Sequence, residues 1–159
     1  MTTSGYGDGV RATLGKASGA YYWELTVDAT GGFGSSGVGV TTATASLSSS
    51  LGSSAGAGLT ESGTLRSSSG ATLNGCGYAA SDVIGIALDV DAGMIYFSIN
   101  GVWQGDASPD AAQGGLDIDI VGEAVFPVVS VWSGDRYTVN FGQSTFAYAP
   151  PSGFEPMFE

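Results

Sequence analysis

Residues 82–105, DVIGIALDVDAGMIYFSINGVWQG, write three short strands and two tight turns in one unbroken run. Ile84, Ile86, Leu88 and Val90 fall on one face of the first strand, and Val83, Gly85, Ala87 and Asp89 on the other. Alternation with period two fits a strand covered on one side, and the small residues on the second side admit a close neighbour. Ile95, Phe97 and Ile99 repeat the alternation. Asp91-Ala92-Gly93 is a short turn with a glycine available for positive φ, and Asn100-Gly101 is the dipeptide preferred in a two-residue type I′ hairpin turn. A chain with this centre is predicted to be all-β.

The flanks extend the same pattern. Residues 19–28 form a strand with Tyr21, Trp23, Leu25 and Val27 facing the core, leaving Tyr22, Glu24, Thr26 and Asp28 on a solvated face. The run Gly37-Val38-Gly39-Val40 is a glycine-rich strand that backbone or aromatic rings from another layer can approach closely. Residues 41–74 are dominated by Ser, Gly, Ala and Thr with scattered leucines, and they read as long loops joining short strands within the same sandwich. Residues 106–123 carry Asp106, Asp110, Asp117, Asp119 and Glu123 and read as a second, solvated loop with a short strand in 117–121. Residues 125–132 and 136–141 read as a final hairpin around Ser133-Gly134-Asp135. Pro150, Pro151 and Pro156 then end regular structure, leaving Phe146, Tyr148, Phe154 and Phe158 to pack as an extended tail. No segment has the length and period of an amphipathic helix.

Composition removes several function classes. At 159 residues the chain fits one domain, 1–159 with a core of about 10–154, large enough to bury a core without staples. Four basic residues, Arg11, Lys16, Arg66 and Arg136, face fifteen acidic ones, for a formal net charge of −11. Such a surface repels polyanions, so neither nucleic acid nor an anionic membrane is an expected partner. There is no histidine, which removes the commonest general base and transition-metal ligand together. Cys76, the single cysteine, permits no internal disulfide and no thiolate cluster, and reads as a buried or semi-buried small residue. With no Gly-x-Ser-x-Gly elbow and no phosphate loop, the expectation is no enzyme, no catalytic residue, no metal and no cofactor. Paired carboxylates would be the raw material of a glycosidase, with Glu24 the most tempting, and a glycan-active enzyme is a remote alternative. Asp89 and Asp91 lie two apart, a calcium-compatible spacing, but turn capping is the simpler reading. The N-terminal MTTSGYGDG lacks a basic n-region and an apolar h-region, and no run approaches the roughly 20 apolar residues that span a bilayer. Neither a Sec signal nor a transmembrane segment is expected.

The central pattern DVIGIALDVDAG, followed after three residues by FSING with its variable third position, resembles the signature of SPRY domains. Three further blocks occur in the order that family requires: YYWELTV at 21–27, VFPVVS at 125–130 and VNFG at 139–142. The resemblance covers Val10 to Phe154 and implies a bent, two-sheet antiparallel β-sandwich of the SPRY, concanavalin-like type. One fold hosts many activities, so function has to be read from a site.

The resemblance implies a non-catalytic binding module whose ligand is gripped by loops at one edge. In SPRY proteins carrying a SOCS box, a Val-Trp-Gly stretch contacts the bound peptide; here Val131-Trp132 matches, with Ser133 intervening before Gly134. That family's site also uses a loop preceding the DVIG block, which falls here near residues 63–66. The expected ligand-binding set is therefore Arg66, Trp132, Ser133, Gly134 and Arg136, on an edge made of residues 63–70 and 132–136, with Trp132 as apolar anchor and the two arginines meeting an acidic or hydroxyl-rich partner. The Gly/Ser/Ala/Thr-rich loops are most like those of stand-alone SPRY modules from bacteriophage and bacteria. That likeness implies a virion component, in the tail or as capsid decoration, recognising a host surface glycan or a neighbouring structural subunit, with homo-oligomers as an option. A peptide-binding SPRY adaptor is the alternative.

Overall fold

The alternating runs become strands in a computed structural model that describes residues 8–48, 51, 55–70, 72–120 and 122–158. Residues 1–7, read above for a signal, and Val121 lie outside those described. The strands are β1 (Asp8–Arg11), β2 (Ala20–Ala29), β3 (Gly37–Thr42), β4 (Gly56–Thr60), β5 (Thr64–Ser67), β6 (Thr72–Asn74), β7 (Val83–Asp89), β8 (Met94–Ile99), β9 (Val102–Trp103), β10 (Leu116–Asp117), β11 (Val125–Val131), β12 (Arg136–Asn140) and β13 (Glu155–Pro156). One sheet runs β1-β11-β3-β4-β5-β6 and the other β10-β8-β7-β2-β12, with β9 beside β8 and β13 beside β2. Apart from the parallel β13–β2 pair, the ladders are antiparallel.

The inward faces are the predicted ones. Trp23, Leu25 and Val27 of β2, Ile84, Ile86 and Leu88 of β7, and Ile95 and Phe97 of β8 pack against Val38, Val40, Leu59 and Leu65 of the facing sheet, all buried. Burying each such side chain stabilises the fold by roughly 1.5–3 kcal/mol. At Asn100-Gly101 both residues take positive φ, +50° and +79°, as a type I′ turn demands. The glycine-rich β3 is crowded by the β4 backbone: a Cβ on Gly39 would lie 2.1 Å from the Ala57 carbonyl oxygen.

Several expectations are corrected. β11 and β12 do not form a hairpin, because β11 pairs with β1 and β3 in one sheet and β12 with β2 in the other. The turn at 132–135 instead carries the chain from sheet to sheet, and adjacency in sequence does not fix pairing. Among the described residues, 41–74 hold the short strands expected there, β4, β5 and β6, paired one after another. Residues 106–123 are not simply solvated, since Leu116, Ile118 and Ile120 are buried in the core. Cys76 is exposed, held by its amide, which donates to Gln104 Oε1 at 2.8 Å.

The largest correction concerns the outer face of β2. Tyr22 and Glu24 are buried, Glu24 at 3% exposure, because the C-terminal tail lies across them. The Glu24 carboxylate accepts from the amides of Ala147 (2.7 Å) and Tyr148 (2.9 Å) and from the Tyr22 hydroxyl (2.9 Å). Phe146 meets the Tyr22 ring edge-on at 5.0 Å, Phe154 meets Tyr96 and Phe158 meets Phe141, so the tail aromatics pack as expected. Regular structure does not end at Pro150, however. Glu155–Pro156 forms β13 alongside Tyr21 and Tyr22, and Met157 is fully buried.

Candidate functional site

A partly exposed aromatic pair, Phe33 and Trp132, stands at the end of the sandwich where the chain crosses between sheets. Three loops meet there: residues 30–36 between β2 and β3, 61–63 between β4 and β5, and 132–135 between β11 and β12. The last is closed by the Asp135 amide donating to the Trp132 carbonyl at 3.0 Å. The Asp135 carboxylate accepts from the amides of Gly31 (2.6 Å) and Trp132 (2.7 Å) and from the Ser36 hydroxyl, tying two loops together. Glu61 accepts from the Gly34 amide at 3.1 Å and secures the third. The loops approach so closely that a Cβ on Gly31 would fall 2.3 Å from the Ser133 carbonyl oxygen.

Gly32 and Gly34 both take positive φ, which lets the chain reverse on either side of Phe33 and push that ring outward. Phe33 is 59% exposed, and its ring stacks on half-buried Trp132 with centroids 5.6 Å apart and planes 30° from parallel. That separation is within the favourable range for offset stacking. Tyr78 and Tyr137 support the same end, their hydroxyls 3.1 Å apart. Burial pushes the Tyr78 phenol well above its ordinary range and Tyr137 up to about 12, with neighbouring Asp135 and Glu61 acting in the same direction. Both are neutral hydrogen-bonding groups at physiological pH.

Of the expected set, Trp132, Ser133, Gly134 and Arg136 lie together at this turn, with Ser133 and Gly134 exposed. Arg136 is 73% exposed and places Nε 3.8 Å from Asp28 Oδ2. Arg66 is not with them. It lies within β5, not in a loop, opposite Gly58 and Thr72 and exposed on the outer face of its sheet, because the alternation sends Leu65 inward. Residues 63–70 therefore do not form one edge: Gly63 is at the Trp132 end and Gly70 beyond the far end of β5. Phe33 was missed by the sequence reading; the available signal was a lone aromatic inside Gly31-Gly32-Phe33-Gly34.

Trp103, near the Asn100-Gly101 turn, packs with Tyr22, Ala87 and Tyr96 alongside Phe146 and Phe154. The acidic candidates have structural partners. Asp89 accepts from the Ala92 amide, the turn-capping role favoured above, whereas Asp91 accepts from the Gly19 amide and so ties the turn to the start of β2. Among the described residues no group of three or more His, Cys, Asp or Glu is disposed to hold a metal ion, and no helix is long and apolar enough to cross a membrane. A small apolar cleft of about 170 Å³ opens between β1, β11, β2 and β12, lined by Val10, Trp23, Leu25, Val129, Val139 and Phe141 among others.

Residues 20–144 match the SPRY domain family. The E3 ubiquitin-protein ligase RKP of Arabidopsis thaliana is 36% identical over 85 residues, which is 54% of this chain and 6% of that protein. The crystal structure of the SPRY domain of human HERC1 superposes with a TM-score of 0.67 at 21% identity, covering 89% of this chain and 87% of that one. The second likeness is one of fold.

Proposed function

This chain belongs to the SPRY domain family, and from that premise we propose that residues 10–154 act as one non-catalytic module that grips a segment of a partner protein at its Phe33–Trp132 end. The observation that carries this reading is the stack itself, with Phe33 exposed and Trp132 half-buried, held by Asp135 across two loops. Large aromatic side chains fixed before binding lose little conformational entropy and make the strongest interface anchors. Trp132 and Phe33 are the anchor, Ser133 and Gly134 the rim, and Arg136 a flanking charge; Arg66 stands apart on β5. Glu24, the carboxylate most suggestive of an enzyme, is buried and already accepts three hydrogen bonds, which supports a non-catalytic role.

The relatives support the peptide-binding alternative over the virion expectation. One is a plant protein named as a ubiquitin ligase and the other a human SPRY domain, and neither name speaks of a phage, a capsid, a tail fibre or a glycan.

The test uses peptides selected from a displayed random library on the whole chain. Trp132→Ala should weaken their binding by more than about 1 kcal/mol while leaving urea stability near wild type. A loss of roughly 3–5 kcal/mol in stability would instead make Trp132 a core residue. A variant unaffected in both would sink the assignment.

A further inference from the structure

We infer that the partner segment seated on the Phe33–Trp132 stack is cationic, placing an arginine or lysine against the exposed Phe33 ring; this rests on the reading of that end as a protein-docking site. The chain carries a net charge of −11 and only four cations; three of them lie away from this end, and the fourth, Arg136, is paired with Asp28. Arg11 donates to the Thr42 carbonyl at 2.9 Å and lies 5.7 Å from the Phe126 ring centroid. Lys16 sits over the rings of Tyr21 (4.5 Å) and Phe158 (5.4 Å). Arg66 is out on β5, and Arg136 faces Asp28.

Two of the four cations thus already cover aromatic faces at other places, while the stacked pair at the loop end has no such cover among the described residues. Three carboxylates, Asp28, Glu61 and Asp135, belong to the strand end and loops that hold the pair, and the one guanidinium beside them, Arg136, is paired with Asp28. The face of an aromatic ring is electronegative, and acidic neighbours deepen that potential, so a guanidinium or ammonium gains from both. An anionic segment would meet repulsion from these groups and from the whole surface. Complementarity of charge therefore selects a basic, extended segment.

The experiment selects random dodecapeptides on the whole wild-type chain and counter-selects on Phe33→Ala and Phe33→Leu. Phe33 is largely exposed, so both variants should melt close to wild type, which circular dichroism checks. The expected result is enrichment of arginine and lysine among peptides whose binding needs Phe33. Their affinity should fall by about tenfold in Phe33→Leu, which keeps apolar bulk but removes the ring face, and should weaken as salt is raised. Phe33-dependent binders of neutral or acidic composition, or cationic binders indifferent to Phe33→Leu, would overturn the cationic inference and leave the docking site standing. If no selected peptide depends on either Phe33 or Trp132, the docking reading itself fails.

Discussion

The amide of Gly31 donates to Asp135 Oδ1 at 2.6 Å, joining two loops 104 residues apart in the chain. The same carboxylate takes the Trp132 amide, so a single side chain fixes both halves of the aromatic stack. It does this where the chain leaves one sheet for the other, a crossing that no ladder hydrogen bond spans. Rigidity at this end therefore depends on side-chain carboxylates as well as on the backbone bonds that join the loops.

Asp135→Ala should cost about 2–3 kcal/mol, since hydrogen bonds to a charged acceptor are worth more than neutral ones and partly buried donors are left unmet. Urea denaturation measures the loss, and hydrogen exchange should show the Gly31 and Trp132 amides exchanging faster. Unchanged exchange at both amides would mean that the loops are held by something other than the carboxylate.

Replacing Asn100 and Gly101 together by alanine should destabilise the β8–β9 hairpin by about 1–2 kcal/mol per residue through left-handed strain. Asn100 also loses two contacts, its Oδ1 accepting from the Val83 amide and its Nδ2 donating to Asp82. A double variant with the wild-type urea midpoint would contradict this account of the turn.

Glu24→Ala strips a buried acceptor from the Ala147 and Tyr148 amides and the Tyr22 hydroxyl. A cost of about 3 kcal/mol or more is expected, because unmet buried donors carry their full desolvation penalty. The tail should loosen before the sandwich does, so chymotrypsin should cut sooner after Phe146 and Tyr148. Wild-type cleavage rates would assign tail docking to its aromatic contacts alone.

Alkaline pH should unfold this protein in a definite window. Burial raises the phenols of Tyr22, Tyr78 and Tyr137 above their ordinary value near 10. Above pH 10 the unfolded chain releases protons that the folded chain keeps, so the stabilisation is complete below about 10 and is lost as pH rises toward the folded values. For deeply buried Tyr78 alone the slope is about 1.4 kcal/mol per pH unit. Urea midpoints between pH 8 and 11.5 should fall on the alkaline side, and Tyr78→Phe should flatten that fall. A pH-independent midpoint would contradict the burial of these hydroxyls.

The strands of the centre were legible because their information is local. Ile84, Ile86 and Leu88 alternate in the chain as they do in the sheet, and Asn100-Gly101 carries its own backbone preference. The tail aromatics were also readable, since phenylalanines left outside the central strands need cover. The blocks at 21–27, 125–130 and 139–142 carried the family resemblance because each is a short segment in or at the end of a strand, whose inward residues alternate in fixed order.

Tertiary structure decided what residue order does not encode. β11 and β12 are neighbours in sequence yet belong to different sheets, because pairing follows the partners β3 and β2 offer. Glu24 alternates with core residues and so reads as solvated, until the tail from more than a hundred residues away covers it. Arg66 looked like a loop cation, and Leu65 turning inward made it a strand residue on another face. Phe33 had no pattern beyond its flanking glycines; only the meeting of residues 30–36 with 132–135 puts its ring on Trp132. Periodicity and turn chemistry act over a few residues and are written in the chain, whereas a surface made by two distant loops exists only once long-range contacts have closed it.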